Sequence, residues 1–310
     1  MNKLIKIGFS DFWPDFNKED NLFSNLLRPF FELEISEDPD ILFYSCYGTM
    51  FLKHKCHRIF FTAENVRPNF RECDFSLSFD LSDYHGHNLR LPLYIFTYLE
   101  YLKHPKDPEK ILSQKKKFCN MVVSNPNVTE RNSFFLLLNN LLRVDSGGRH
   151  FNNIGFRVKD KLSFMKDYKF TIAFENSSYP GYVTEKIIQP MLVDSIPIYW
   201  GNPMIYQDFN TKSFINANEF NSLKELAEYV VEVENNDTLY KRILSEPYLL
   251  SESPLCQDYT KLSIRLKEII EDILQKPPVA LNMWKRILTE LVVIKKKINS
   301  KLFRVPYQYA

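Results

Sequence analysis

Residues 168–186 read YKFTIAFENSSYPGYVTEK and combine a strand, a turn and the beginning of a helix. The first seven residues are mostly apolar, with aromatic and β-branched side chains that are typical of a strand. Pro180 and Gly181 then indicate a turn, and Thr184 is a suitable N-cap for a helix that begins at Glu185. A strand followed by a helix is the repeating unit of a parallel α/β sheet.

The same alternation extends in both directions from this stretch. Towards the amino terminus the pattern predicts strands at residues 4–9, 41–44, 59–62 and 75–79 and a helix at 21–27. Towards the carboxyl terminus it predicts strands at 118–124 and 196–199, helices at 129–142, 161–167 and 185–193, and mainly helices after 222. In the helix at 129–142 we expect Phe134, Leu137, Leu138 and Leu141 to face the core.

A charged stretch with two prolines, residues 101–117, is typical of a surface linker between two α/β runs. The sequence therefore predicts an α/β protein of two Rossmann-like domains that face a cleft, with helices at the carboxyl end. We expect an amino-terminal domain of residues 1–115, a second domain of 116–275 and a final segment of 276–310.

The final segment is strongly basic. Between residues 282 and 304 there are seven Lys or Arg and one Glu, with apolar residues at near-helical spacing. Such a basic amphipathic helix suits an anionic membrane surface. Packing on the protein's own first domain is the equally open alternative.

Composition excludes other classes of protein. Hydrophobic residues make up 45% and charged residues 25%, which is ordinary for a globular chain. A net charge of +2 is too small to favour nucleic-acid binding. The chain has no apolar run of the ~18 residues that a membrane span needs. Residues 1–7, MNKLIKI, are not typical of a secretory signal. The five cysteines are scattered along the sequence. We expect a reduced, cytoplasmic location, with peripheral attachment to the inner membrane as one alternative.

Two Glu-Asn pairs follow predicted strands. Glu64 and Asn65 come after the strand at 59–62, and Glu175 and Asn176 come after the long strand quoted above. In parallel α/β sheets, ligands bind beyond the carboxyl ends of the strands. We therefore expect the functional site at these pairs.

Two cations occupy the first turns of predicted helices, where the helix dipole disfavours positive charge unless an anion is near. Lys186 and Arg131 could together bind one pyrophosphate. The alternatives are an exposed Glu185–Lys186 pair and an ion pair of Arg131 with Glu130 or another carboxylate. Taken by itself, Glu64 is interpreted as a strand-end carboxylate that caps a turn.

Potential metal ligands are weakly patterned. Asp38 and Asp40 flank a proline before their strand, which indicates a turn rather than a metal motif. His54, Cys56 and His57 lack the paired spacing of a zinc site. We expect no metal.

The order of these motifs closely resembles the signature of the α-1,3-fucosyltransferases of glycosyltransferase family 10. The resemblance spans roughly residues 40–220 and rests on five motifs: FTAENVRPNF at 61–70, SNPNVTER at 124–131, GGR at 147–149 with NNIG at 152–155, FENSSYPGYVTEK at 174–186, and IPIYWG at 196–201. It implies a GT-B fold in which residues 1–115 bind the acceptor and residues 116–275 bind the GDP-β-L-fucose donor, with no metal and no other cofactor.

The resemblance also implies roles for individual residues. Glu64 matches the general base, and Arg131 and Lys186 match the cations on the donor diphosphate. The other residues matched to the donor site are Ser124, Asn125, Asn176, Tyr182 and Glu185, with Asn65, Glu175 and Trp200 in support.

The implied reaction is inverting transfer of L-fucose to a glycan acceptor such as N-acetyllactosamine. It would act at O3 of GlcNAc or Glc, forming an α-1,3 or α-1,4 linkage in bacterial surface polysaccharide. One alternative is a GT-B transferase with another nucleotide sugar, and a second is a non-catalytic glycan-binding protein at a membrane surface.

Overall fold

A computed structural model describes residues 2–96, 102–249 and 259–281. The chain divides into two compact units. The first comprises residues 1–78, 82–91 and 258–310, and the second comprises residues 79–81 and 92–257. No helix within the described ranges has both the length and the apolar character needed to cross a membrane.

Both units are built from parallel strands and helices. The strands are β1 (Lys3–Ser10), β2 (Phe31–Ile35), β3 (Ile41–Tyr44), β4 (His57–Phe61), β5 (Phe75–Ser78), β6 (Asn88–Arg90), β7 (Lys117–Met121), β8 (Val144–Ser146), β9 (Tyr168–Phe174), β10 (Ile196–Trp200) and β11 (Ile215–Asn216). The α-helices are α1 (Leu22–Leu27), α2 (Pro108–Gln114), α3 (Thr129–Leu141), α4 (Lys161–Met165), α5 (Glu185–Met191), α6 (Leu223–Glu234), α7 (Asp237–Ser245) and α8 (Tyr259–Ile273).

The first unit contains a six-stranded parallel sheet in the order β2-β1-β3-β4-β5-β6. Every residue of the central strands β3 and β4 is buried, as expected for a parallel sheet covered on both faces. Aromatic side chains fill one side, where the rings of Phe9 and Phe23 each stack on Phe43 with centroids 5.6 and 5.0 Å away. Since the strands are parallel, the loops after β1 and β4 leave the same edge of this sheet.

The second unit contains a five-stranded parallel sheet in the order β11-β10-β9-β7-β8. Strands β9 and β10 are in register from Phe170 opposite Ile196 to Phe174 opposite Trp200, so the two strands end together. The backbone N–H of Glu175 then donates to the carbonyl of Trp200 at 2.8 Å. This shared end brings the turn that follows β9 beside the turn that follows β10.

The structure confirms the predicted strands and helices around the two Glu-Asn pairs and adds four strands. The additional strands are β2, β6, β8 and β11, and all four lie at sheet edges. Three of them have only two or three residues, and β2 alternates apolar residues with Glu. Edge strands bury fewer apolar residues than central strands, so apolar runs in the sequence predict them poorly.

Residues 101–117 were predicted to be a surface linker. This prediction was wrong for the middle of the stretch, which forms the helix α2. Asp107 caps this helix by accepting a hydrogen bond from the backbone N–H of Lys110, and Pro108 occupies its first turn. Ile111 anchors the helix in the core of the second unit.

The predicted buried face of α3 is confirmed at Phe134 and Leu138 but was wrong at Leu137 and Leu141. Leu137 and Leu141 are 37% and 52% exposed, whereas Phe134, Phe135 and Leu138 are buried. The buried face also includes Arg131. On the same helix Phe135 stacks on Phe151 with ring centroids 4.8 Å apart.

The boundaries predicted at residues 115 and 275 differ from those of the structure. Helix α8 belongs to the first unit, because Ser263 donates a hydrogen bond to the carbonyl of Leu26 at 2.6 Å. Beyond it, the N–H of Val279 donates to Asp74 at 2.7 Å, and the buried guanidinium of Arg58 donates to the Val279 carbonyl. The basic helix predicted between 282 and 304 lies outside the described residues.

Candidate functional site

The turn between β9 and α5 is organised around the carboxylate of Glu175, which is fully buried. One oxygen accepts from the backbone N–H of Thr184 at 2.7 Å. The other accepts from the Thr184 hydroxyl at 2.7 Å and from the Lys186 ammonium at 3.0 Å. Glu175 therefore acts as the internal anchor of the turn, and Thr184 caps α5 as predicted.

Opposite charges are concentrated where α5 begins. Burial raises the pKa of Glu175, while Lys186 and the hydrogen bonds from Thr184 favour its charged form. Burial acts in the same direction on Glu185, but Lys186 and Lys161 more than offset it and lower the pKa of that carboxyl. Glu185 is thus ionised at neutral pH, and its oxygens can accept hydrogen bonds from hydroxyl groups.

Lys186 is the cation of this turn that a ligand can reach, since 20% of its side chain is exposed. Its ammonium also donates to the Thr184 hydroxyl at 2.9 Å. These contacts hold the ammonium in one position, so its charge is pre-oriented for an anion.

Gly181 allows the chain to turn between β9 and α5. Its φ is +84°, and a Cβ at this position would lie 2.4 Å from the carbonyl oxygen of Phe79. The side-chain oxygen of Asn202 accepts from the N–H of Gly181 at 2.7 Å and from that of Met204 at 2.8 Å. Asn202, which directly follows Gly201 after β10, thereby ties the two turns together.

We expect Gly181→Ala to destabilise the second unit by more than Gly155→Ala. Gly155 has a similar φ of +80° but open space around its Cβ position. Gly155→Ala should therefore cost only the backbone strain, about 1–2 kcal/mol, whereas Gly181→Ala adds the overlap with Phe79, roughly 1–3 kcal/mol more. Urea unfolding of both variants measures the difference, and equal losses would contradict it.

Arg131, in α3, contacts the end of β9 and is fully buried. Its guanidinium donates to the carbonyls of Phe174 and Asn125, at 3.3 and 2.7 Å, and to the side-chain oxygen of Asn176 at 3.2 Å. Burial lowers the pKa of Arg131, partly offset by Glu175.

These contacts exclude the predicted ion pair between Arg131 and Glu130. Its partners are backbone and amide oxygens rather than Glu130. The side chain is fully buried and joins the loop after β7 to Asn176 in the loop after β9. Its role at the donor diphosphate stays a prediction.

The other residues predicted at the donor site fall into two groups. Ser124 and Asn125 are exposed in the loop after β7, and Trp200 is half-buried with its ring stacked 5.9 Å from Phe174. Tyr182, in contrast, is 1% exposed and packs edge-on against Phe79 at 5.0 Å. The ends of β7, β9 and β10 thus bring the predicted residues of the second unit to one edge of its sheet.

In the first unit, Glu64 follows β4 and is half-buried. The phenol of Tyr47 donates to its carboxylate at 3.3 Å. Thr62 makes the local turn, accepting from the Glu64 N–H at 3.1 Å and donating to the Glu64 carbonyl at 2.6 Å. The hydroxyl of Thr62 therefore closes this turn. Asn65 accepts from Arg67 at 2.8 Å.

The residues considered as metal ligands have structural contacts. Asp40 accepts from the backbone N–H of Lys6 at 2.9 Å, and His57 lies 3.5 Å from Asp74. Among the residues that the structure describes, no three His, Cys, Asp or Glu side chains are grouped to hold a metal ion.

Sequence reasoning missed Tyr47, Thr62 and Asn202. Thr62 and Asn202 lie inside or next to quoted motifs, at the carboxyl ends of β4 and β10, so strand-end position was a usable signal. Tyr47 gave no such signal, because it reaches Glu64 only through the folding of a neighbouring loop.

Two family models match this chain in succession. Residues 7–98 match the "Alpha-(1,3)-fucosyltransferase FucT N-terminal domain". Residues 112–245 match "Glycosyltransferase family 10 (fucosyltransferase) C-term". Together the matches include Glu64 and the whole turn from Glu175 to Lys186.

Individual relatives agree with these models. The chain is 30% identical over 306 residues to the α-(1,3)-fucosyltransferase FucT of Helicobacter pylori, covering 84% of this chain and 64% of that relative's length. A crystal structure of an α1,3-fucosyltransferase with GDP-fucose superposes with a TM-score of 0.75 at 27% identity, covering 91% of this chain and 94% of the other. A GDP complex gives 0.73 at 29% identity, covering 90% and 92%. This likeness confirms the predicted α/β GT-B fold class.

Proposed function

Because the chain belongs to glycosyltransferase family 10, the fucosyltransferases, we propose that it transfers L-fucose from GDP-β-L-fucose to a hydroxyl of a glycan acceptor. The observation that carries this proposal is the Glu175–Thr184–Lys186 turn. It presents an oriented ammonium beside an ionised carboxylate at the edge of a parallel sheet. A nucleoside diphosphate sugar has anionic phosphates for the first group and hydroxyls for the second.

The donor site is assigned to the second unit. Lys186 binds the diphosphate, and Glu185 accepts from sugar hydroxyls. Ser124, Asn125 and Asn176 border the same strand ends, and Trp200 offers a half-buried ring. Arg131 and Tyr182 are assigned to positioning, since both are buried in the structure.

The reaction is assigned as a direct displacement with inversion. The acceptor oxygen forms the new bond to the anomeric carbon of fucose as the bond from that carbon to the diphosphate oxygen breaks. Glu64 takes the proton of the acceptor hydroxyl, and GDP leaves with the electron pair. Since negative charge grows on the diphosphate, the Lys186 ammonium stabilises the transition state. We therefore propose that transfer needs no metal ion.

The acceptor is proposed to be a glycan such as N-acetyllactosamine, within the assembly of a bacterial surface polysaccharide. O3 of GlcNAc or Glc is the favoured position, which gives an α-1,3 linkage, and an α-1,4 linkage is the alternative. A cytoplasmic location, with contact to the inner membrane through residues 282–304, completes the proposal.

Release of GDP tests the donor, the reaction class and the absence of a metal together. Purified protein with GDP-fucose, EDTA and N-acetyllactosamine should release GDP, and release should depend on the acceptor. Loss of release on EDTA treatment, restored by a divalent cation, would overturn metal independence. Tight GDP-fucose binding without GDP release would contradict N-acetyllactosamine as the acceptor. Preference for another nucleotide sugar would favour the alternative donor.

A further inference from the structure

Tyr47 and Glu64 lie in neighbouring loops of the first unit. In the register of β3 and β4, Tyr44 is opposite Phe60 near the ends of both strands. Tyr47 comes shortly after Tyr44, and Glu64 comes shortly after Phe60, so the two loops leave the same edge of the sheet about 4.8 Å apart. This geometry brings the Tyr47 phenol to Oε1 of Glu64, to which it donates at 3.3 Å.

Asp11, which follows β1, fixes the loop that carries Tyr47. Its carbonyl accepts from the N–H of Tyr47 at 3.1 Å, and its carboxylate accepts from the N–H groups of Met50 and Phe51 at 3.0 and 2.8 Å. The backbone of Asp11 is left-handed, with a φ of +59°, which is costly for a residue other than glycine. The hydrogen bonds from the loop offset this cost, and they hold the backbone of Tyr47 in one position.

The contact between Asp11 and this loop requires a glycine at position 48. A Cβ on Gly48 would lie 2.1 Å from a carboxylate oxygen of Asp11. Any residue with a Cβ would therefore displace either the carboxylate or the loop. Gly48 directly follows Tyr47, so the requirement for close approach falls on the backbone that sets the position of the phenol.

The ring of Tyr47 is held as well as its backbone. The ring of Trp13 packs edge-on against it, with centroids 6.5 Å apart. Trp13 in turn packs edge-on against Phe61, the last residue of β4, also at 6.5 Å. Although Tyr47 is 47% exposed, its phenol therefore approaches Glu64 from a direction that the fold determines.

A phenol that donates to a carboxylate has two effects on that group. The hydrogen bond restrains the rotation of the carboxylate, and it stabilises the charged form, which is the form that can take a proton. The thiol of Cys46, next to Tyr47, adds no charge of its own at pH 7, because burial raises its pKa. The loop therefore supplies Glu64 with a neutral hydrogen-bond donor.

We propose that Tyr47 is a positioning residue for the transfer reaction. Its phenol fixes the orientation in which the Glu64 carboxylate takes the proton of the acceptor hydroxyl, and Asp11 and Gly48 hold Tyr47 in place. The inference rests on the proposed function, in which Glu64 is the base. Since Tyr47 acts through Glu64, loss of its phenol should lower turnover without changing the affinity for either substrate.

The test is Tyr47→Phe, which removes the hydroxyl and retains the ring beside Trp13. The kcat for acceptor-dependent GDP release should fall about 3- to 10-fold, as expected for one lost hydrogen bond, while the KM values for GDP-fucose and N-acetyllactosamine change less than about twofold. Tyr229→Phe is the matched control and should leave kcat unaltered. Tyr229 lies in α6 with its ring 5.2 Å from that of Phe220, and its hydroxyl makes no hydrogen bond with any residue in the described ranges.

The double variant Glu64→Gln with Tyr47→Phe shows whether Tyr47 acts through Glu64. Glutamine cannot take the proton, so no base remains to be oriented. In this background the loss of the phenol should lower the residual turnover less than about twofold. A purely structural role of Tyr47 would instead lower turnover by the same factor with Glu64 present or replaced.

The possible failures are distinguishable. An unaltered kcat in Tyr47→Phe, while Glu64→Gln has lost turnover, would overturn the role of Tyr47 and leave the proposed function intact. Equal losses in both backgrounds would overturn it too, and so would a raised KM for N-acetyllactosamine with an unaltered kcat, because the phenol would then contact the acceptor. Near-normal turnover of Glu64→Gln would exclude the base, and a wild type that releases no GDP would contradict the proposed function. The role of Tyr47 is lost with either.

Discussion

Replacing Glu64 by glutamine is expected to lower turnover by roughly 10²–10⁴-fold, the usual contribution of a general base. The change removes the charge and proton affinity of the carboxylate but retains its size. The glutamine carbonyl can still accept the hydrogen bond from Tyr47. The measurement is kcat for acceptor-dependent GDP release, together with the GDP-fucose affinity, which we expect to be unaltered.

Glu34→Gln is a suitable control for this variant. Glu34 lies on the edge strand β2, with 47% of its side chain exposed in a loose pair with Lys6, so its loss should leave turnover at the wild-type level. If Glu64→Gln also retained near-normal turnover, Glu64 would be excluded as the base. The carboxylate would then be assigned to local structure with Tyr47.

Replacing Lys186 by methionine is expected to weaken GDP binding by about 10–100-fold, in line with one lost charge-assisted hydrogen bond. It should also destabilise the second unit by about 3–5 kcal/mol, because the buried Glu175 carboxylate loses its counter-ion. Calorimetric titration with GDP measures the first effect, and denaturant unfolding measures the second.

The double variant Lys186→Met with Glu175→Gln separates these two effects. A neutral glutamine can still accept from the backbone of Thr184, so most of the lost stability should return. GDP affinity should stay low if the ammonium binds the diphosphate directly. Recovery of wild-type affinity in the double variant would instead restrict Lys186 to a structural role. Lys224→Met, on an exposed face of α6, is the control for net charge.

The buried centre of the fold was predictable because central parallel strands carry near-continuous apolar sequence. The stretch IPIYW forms β10 as predicted, beside β9, and both strand ends carry the residues expected at the site. The four edge strands were not predictable in this way. A two-residue strand such as β11 forms because β10 is already present to pair with it.

Charge alone did not distinguish the two cations predicted at the site. In the sequence Arg131 and Lys186 have the same pattern, a cation in the first turn of a helix. In the structure Arg131 lies inside, where carbonyls of two loops surround it, whereas Lys186 stays partly exposed beside Glu175. The difference in burial between the two cations depends on which loops lie next to each other at the end of β9. The spacing of residues in the sequence does not predict this arrangement.

The sequence by itself determined the fold class and the family, because apolar periodicity and ordered motifs are local properties. The tertiary structure alone decided the pairing of Glu175 with Lys186 and the contact of Tyr47 with Glu64. Each of these joins residues that come together only when parallel strands align their carboxyl ends, and the free energy of such contacts depends on burial in the folded chain.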